Sequence, residues 1–367
     1  MRSRVITMAA AAALAGSAMG RDFTAGNLVV SVMGDGSAAL TSAATPVFLN
    51  EFTTAGTLVR TLAMPTAASG TNHRFSNSGS ATSEGFLTRS ADGRYLLLAG
   101  YDAAVGTASV VSTTSAANPR IVGRVDMLDS IDTSTALGDA YSGNNIRSAT
   151  STNGMDLWTG GTASSGGSVR YTTLGGTTST QLSTTITNIR VVNIFNGQLY
   201  CSSATGSFQG VSTVGSGTPT TSGQTITLLP GFPTASGPSS YDFWLADAST
   251  MYVADDRTNG SGGVQKWAFN GSAWSLQYTL ASSAATGLRS ITGATDPGSG
   301  QNLMYGITTD NKLVSVIDAG AGSSFNVLAT APANTAFRGV EFAPVPAPGS
   351  LALLTLSGLI AARRRPR

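Results

Sequence analysis

The chain has 367 residues, of which 11% are charged, 44 are Gly and one is Cys, and its formal net charge is +2. Few charges, abundant Ser, Thr and Gly, and no sustained helical period exclude both a helical bundle and a solvated disordered chain, leaving an all-β fold. So small a charge, with basic residues scattered everywhere except the C terminus, gives no surface for nucleic acid.

In chain order, Arg2 and Arg4 precede an apolar stretch at 5–14 and the small residues Ala18 and Gly20, the layout of a secretory signal peptide cleaved before Arg21. Residues 1–20 are therefore read as a signal peptide, 21–344 as one mature domain and 345–367 as a separate tail. An exported chain whose only cysteine is Cys201 forms no internal disulfide, so its stability rests on the core of a large domain. Cys201 lies in the apolar run Leu199-Tyr200-Cys201 and reads as a buried side chain rather than a reactive thiol.

Within the mature domain, short apolar strands recur in one relative place at 28–32, 95–99, 156–159, 198–201, 251–254 and 303–306. Most follow a turn such as Ala91-Asp92-Gly93-Arg94, Thr152-Asn153-Gly154 or Phe195-Asn196-Gly197, where Asp-Gly and Asn-Gly supply the positive φ of a tight hairpin. Third strands are expected at 47–52, 108–113, 169–174, 211–214, 264–269 and 312–318, and fourth strands at 58–63, 121–127, 180–185, 225–229, 274–280 and 325–330. First strands are expected at 84–88, 146–149, 189–194, 241–245 and 288–292; nothing precedes the first unit, and a lone first-strand pattern stands at 337–342.

A four-stranded unit repeating every 40–60 residues or so predicts a single β-propeller, closed by the C-terminal first strand pairing with the N-terminal blade. Six four-stranded blades are expected, with seven as the alternative if the connection at 127–145 hides strands. The turn Ser90-Ala91-Asp92-Gly93-Arg94 resembles the Ser-Pro-Asp-Gly-Arg turn of many propeller families, which implies a structural role for it.

Few residues in the domain carry the pattern of a chemical site. His73 is the only histidine and reads as a loop residue, with no second histidine or cysteine pair to make a metal site and no sequence pattern that builds a Ser-His-Asp triad on it. Asp255, Asp256 and Asn259 cluster oxygens that a calcium ion could use, but they depart from the alternate-position acids of an EF-hand loop and read better as a polar turn. Trp158, Trp244, Trp267 and Trp274 could stack on sugars, although three of them fall at strand positions where core packing is the usual role. Aligning the first strands places Arg147, Arg190, Arg289 and Arg338 at one position, with Glu84 and Asp242 in the other two blades. Such a ring at one mouth of the channel either staples neighbouring blades through ion pairs or binds a carboxylate or sulfate.

The chain closes with Val345-Pro346-Ala347-Pro348-Gly349, a Leu-rich segment at 351–362, and Arg363, Arg364 and Arg365. The apolar segment is at or below the roughly 17–25 residues that span a bilayer, which favours transient membrane contact over a permanent span. This layout resembles the PEP-CTERM sorting signal of exopolysaccharide-forming Gram-negative bacteria, which an exosortase recognises and removes; an ordinary tail anchor is the alternative. Ala347 stands where the family's Val-Pro-Glu-Pro has its acid.

The resemblance implies export across the inner membrane, with signal peptidase and exosortase as processing partners, and delivery to the cell surface or the extracellular polysaccharide. Some ice-binding proteins carry this type of tail, but the regular Thr-x-Thr array of an ice-binding face is absent. The expected function is therefore a secreted, monomeric, non-enzymatic binding or structural protein without a cofactor. A propeller hydrolase or lyase of lactonase-like type is the alternative, and it would need several inward carboxylates around a channel metal.

Overall fold

The computed structural model describes residues 22–164, 168–281 and 286–346. The expectations at 1–20 and on the tail from Ala347 onward, Pro348, Gly349, Arg363, Arg364 and Arg365 included, lie outside the described residues. The described chain is a β-propeller, and the strands come in the order set by the hairpin turns.

The first stretch supplies β1 (Leu28–Met33), β2 (Ala44–Phe52), β3 (Leu58–Ala63), β4 (Ser76–Ser78), β5 (Leu87–Arg89), β6 (Tyr95–Tyr101), β7 (Arg120–Asp126) and β8 (Ile131–Leu137). Then come β9 (Ile146–Ser151), β10 (Asp156–Gly161), β11 (Val169–Thr173) and β12 (Thr180–Gln181), followed by β13 (Val192–Phe195), β14 (Gln198–Thr205), β15 (Phe208–Val214) and β16 (Ile226–Leu228). The next sheet holds β17 (Ser240–Leu245), β18 (Thr250–Asp255), β19 (Gly263–Phe269) and β20 (Trp274–Leu280). The last elements are β21 (Leu288–Thr295), β22 (Asn302–Thr308), β23 (Lys312–Ile317), β24 (Asn326–Thr330) and β25 (Ala336–Phe342).

Strands β9–β12, β13–β16, β17–β20 and β21–β24 form four separate four-stranded blades. Six separate blades were expected; instead β25-β1-β2-β3 and β5-β6-β7-β8 are joined by β4 into one nine-stranded sheet. The physical cause is an overhang. β2 extends beyond its pairing with β1, and its free end at 44–46 pairs with β4, which in turn meets β6 at Ser76 and Tyr101. Backbone groups that would otherwise sit unpaired at a sheet edge are thereby satisfied. The blades nevertheless touch in a closed succession through β5, β9, β13, β17, β21, β25 and back to β5, with the second strand β14 making the contact between the blade of β13 and β17.

Two expected strands are corrected in the same region. Residues 108–113 form no strand, because Ser109 takes a left-handed conformation and Val110–Ser112 is a 3-10 turn. The third and fourth strands of that unit are β7 and β8, so the connection at 127–145 holds an outer strand of an existing blade and not a seventh blade.

Burial grades outward from the channel. All six residues of β1 and all six of β9 are buried, as strands packed on both faces require, whereas the outer strands β3 and β20 are mostly exposed or half-buried. The hairpin chemistry holds as well: Asn196 and Gly197 both have positive φ between β13 and β14, the geometry that an Asn-Gly turn favours.

Ring closure has the expected form. β25 pairs antiparallel with β1, Leu28 opposite Phe342 and Met33 opposite Ala336, with a bulge between Val30 and Val32. The bulge frees Ser31, whose hydroxyl donates to the Gly85 carbonyl at 2.5 Å and accepts the Gly339 amide at 2.8 Å, tying β25 to the segment that enters β5.

Candidate functional site

Innermost strands begin at one mouth of the channel, and most of them begin with an irregularity. In β9 the register skips Arg147, in β21 it skips Arg289, and in β25 it shifts across Arg338 and Gly339. A bulge inserts one residue, bends the strand and re-aims its side chain, so the arginines are turned out of the regular ladder.

The four arginines reach mostly across blade seams. Arg147 donates to Asn188 and, at 3.0 Å, to the Ile189 carbonyl of the next blade. Arg338 donates to the Gly79 carbonyl at 3.0 Å, and Arg190 lies over the Tyr241 ring at 4.5 Å. Only Arg289 has an acidic partner among the described residues, Asp256 at 3.4 Å. Arg147 and Arg338 are 6% and 5% exposed, and the Nε atoms of Arg147, Arg190 and Arg338 are buried without a hydrogen-bond partner.

This crowding has an electrostatic signature. Burial, and then the positive charge of Arg190, push the Arg147 guanidinium down to about 10; burial, and then Arg289, do the same to Arg338. Glu84 opposes this from within the ring, but its oxygens are taken by Tyr101 and Asn145, each at 2.5 Å, and by the Ser78 amide. Desolvation raises the pKa of Glu84. Gly85, at positive φ, makes room here, since a Cβ would lie 3.0 Å from that of Arg338.

Asp242 is not part of the ring, which corrects its sequence alignment. The β17 bulge between Ser240 and Phe243 puts Tyr241 beside Arg190 and sends the Asp242 carboxylate into the seam with β21. There it accepts from Ser290 Oγ at 3.0 Å, the Ile291 amide at 3.1 Å and the Phe243 amide at 2.9 Å. The anticipated stapling by carboxylates is thus made largely by backbone carbonyls instead.

Phe86 and Tyr241 meet across the channel with ring centroids 5.9 Å apart and close it behind the arginines. Beyond this plug, at the far ends of the same strands, a cavity of about 160 Å³ is bordered by Arg89, Asn193, Phe195, Trp244, Thr292 and Glu341 among others. None of these except Trp244 stands out in sequence. The available signal was position, because Asn193, Thr292 and Glu341 each lie three residues after an arginine of the ring.

The remaining candidates are placed as follows. Asp255 is buried and bound by Arg257 and Gln265, Asp256 faces Arg289, and Asn259 accepts the Ser261 amide. Among the described residues no group of three or more His, Cys, Asp or Glu is placed to hold a metal ion. His73 pairs with Asp102 at 2.9 Å, an acid it shares with Arg74. Trp158 donates to the Pro219 carbonyl, Trp267 stacks on Phe232, Trp274 packs on Phe269, and Trp244 stacks on Tyr252. Cys201 is fully buried in β14, which pushes its thiol pKa up. Val345 and Pro346 follow β25, and the Val345 amide donates to the Gly93 carbonyl at 2.9 Å.

No protein-family model and no curated protein matches the sequence. Among solved structures the chain is similar to a periplasmic gluconolactonase of Pseudomonas aeruginosa, with 14% identity, a TM-score of 0.47, and 83% of this chain and 82% of that one covered. TolB from Acinetobacter baumannii gives 9% identity and a TM-score of 0.49 over 85% of this chain and 67% of that one. A putative 6-phosphogluconolactonase from Bacteroides uniformis gives 12% identity and a TM-score of 0.46 over 84% and 83%.

Proposed function

We propose that this chain is an exported, non-enzymatic binding protein of the cell surface or extracellular polysaccharide, which holds a carboxylate or sulfate of an acidic polymer at its arginine mouth. The observation that carries this reading is the state of Arg147 and Arg338, more than nine-tenths buried, without a carboxylate partner among the described residues, and each with an unpartnered Nε. Buried guanidiniums gain most from a planar anion that satisfies two donors at once. The partly exposed Arg190 and Arg289 give such a group its entry.

Export and sorting rest on the sequence of the two ends. The basic and apolar start at 1–20 supports cleavage by signal peptidase, and Val345-Pro346-Ala347-Pro348 with its arginine-ended apolar tail supports processing by an exosortase. A hydrolase of lactonase-like type is less well supported. The carboxylates nearest the channel, Glu84, Asp242 and Glu341, are each engaged by local donors.

Calorimetry of the purified protein with an acidic polysaccharide and a neutral one tests the binding reading. The acidic polymer should bind, more weakly as salt rises, and Arg190→Ala with Arg289→Ala should weaken it about tenfold or more, which is about 1.4 kcal/mol. Equal binding of both polymers, or of neither, would leave the arginines as inter-blade staples only.

A further inference from the structure

The cavity on the other side of the Phe86–Tyr241 plug has a chemistry of its own. The surface that faces it is almost wholly polar. Phe243 is 1% exposed, and the Trp244 indole is covered by Tyr252, stacked at 5.7 Å, and by Gly293, where a Cβ would come within 2.5 Å of it. The aromatic residues at the border therefore serve as packing, and the groups offered to an occupant are those of Glu341, Asn193, Thr292 and Arg89. These are only half used. Glu341 Oε1 accepts from Thr292 Oγ1 at 2.8 Å and the Phe342 amide at 2.7 Å, but its Oε2 has no partner among the described residues. Thr292 has spent its one hydroxyl proton there and keeps its lone pairs to accept with. Asn193 Oδ1 accepts from Thr150 and the Ile194 amide, while its Nδ2 donates to no described group. Glu341 and Asn193 are each only 9% exposed, so each keeps a free polar atom on a largely buried side chain. The Arg89 side chain makes one hydrogen bond among the described residues, a long one of 3.5 Å to the Ala343 carbonyl.

Two opposite charges border the space without forming an ion pair. Burial raises the pKa of Glu341, and the positive charge of Arg89 works against that rise. A cation alone would leave Arg89 and the Asn193 amide without an acceptor, and an anion alone would meet the Glu341 carboxylate. A neutral hydroxyl compound would give both charges an uncharged partner, which makes the weaker hydrogen bond. A molecule with an ammonium and a carboxylate side by side satisfies all four groups at once and adds no net charge. The volume of about 160 Å³ compares with the ~150 Å³ that holds benzene, and alanine has as many non-hydrogen atoms as benzene. A large apolar side chain would find no apolar wall to lie on.

We infer that this cavity is a second binding site, independent of the arginine mouth, for a small free α-amino acid in its zwitterionic form. The ammonium donates to Glu341 Oε2 and Thr292 Oγ1, and the carboxylate accepts from Asn193 Nδ2 and Arg89. The small side chain points to the rim, where Ala91 is exposed.

Calorimetry and saturation-transfer-difference NMR of the exhaustively dialysed protein test this, with glycine, L-alanine, D-alanine and L-serine as probes. Propionate and ethylammonium each carry one of the two charges and serve as controls. At least one amino acid should bind, and both controls should bind tenfold or more weakly than it does. Glu341→Gln keeps the Oε1 that Thr292 and the Phe342 amide use, and it should weaken amino-acid binding tenfold or more. Arg89→Met gives up only the long bond to Ala343, so it should leave the melting temperature within a few degrees and weaken binding to a similar extent. Arg190→Ala with Arg289→Ala should leave it intact, which separates failure of this site from failure of the anion site. The inference is overturned if no amino acid on the panel binds, if either control binds as well as the amino acids, or if binding is undiminished in Glu341→Gln or in Arg89→Met.

Discussion

Asp242 is buried at 2% exposure, and desolvation pushes its carboxyl up to about 7 despite three hydrogen bonds to its oxygens. The unfolded chain ionises this residue near its ordinary value, so between about pH 4 and pH 7 the folded state holds a proton that the unfolded state has lost. Stability should therefore be greatest below that window and fall as pH rises through it, by up to about 1.4 kcal/mol per pH unit. Asp242→Asn should flatten this slope whatever its effect on absolute stability; denaturant melts from pH 4 to pH 8 check it, and an unchanged slope would mean that Asp242 ionises freely in its seam. This residue also marks where the sequence stops being legible. Its neighbour Tyr241 takes the ring position because β17 carries a bulge, and a bulge is a backbone event that a strand pattern does not encode. Arg147, Arg289 and Arg338 could be aligned because they share the irregularity, so it cancels among them.

At the scale of the strand, β25 does two jobs, completing the sheet of β1 and packing on β5 through Ser31 and Gly339. Removing the chain from Ala336 onward should leave β1 with an open edge and a core lacking Phe337 and Val340, both buried. A single sharp thermal transition is expected to become broad and lower; a truncated protein that melts as sharply and as hot would mean that closure is dispensable. A gentler probe is Gly339→Ala. The added methyl would lie 2.4 Å from the Leu87 amide and 2.8 Å from the Gly85 carbonyl, backbone that cannot swing aside, so overpacking should cost about 1–3 kcal/mol in a chemical melt. Strands flanked by Asp-Gly and Asn-Gly turns were visible in sequence because turn chemistry and an apolar run coincide there. β4 was not, because Ser76-Asn77-Ser78 has neither an apolar alternation nor a turn signal and is held by its neighbours' unpaired ends. The run at 108–113 misled for the opposite reason. Its paired valines look like a strand, but Val110 is spent as a plug in the small cluster around Tyr101 and Tyr141.

For the whole molecule, the two ends of the channel are chemically distinct, and the chain leaves from one of them. Arg89 Nη1 donates to the Ala343 carbonyl and the Val345 amide donates to the Gly93 carbonyl, so the segment leading to the tail runs beside the cavity bordered by Arg89 and Glu341. If the tail holds the precursor at a membrane, as proposed from its sequence, the cavity mouth faces the bilayer and the arginine mouth faces away from it. Cysteine labelling reads this orientation, because Cys201 is fully buried and contributes little background. Ala91→Cys lies on the tail side, and Asn259→Cys lies on the arginine side, in the loop after β18; both positions are exposed. With a bulky maleimide polymer, Ala91→Cys should react several-fold more slowly in the membrane-held precursor than in protein released by processing, while Asn259→Cys should react equally in both. Intact mass must first show that the released form begins at Arg21 and has lost Arg363, Arg364 and Arg365. Retention of those arginines in surface material would make the tail a simple anchor, and equal rates at Ala91→Cys would place the tail's membrane contact away from the cavity mouth.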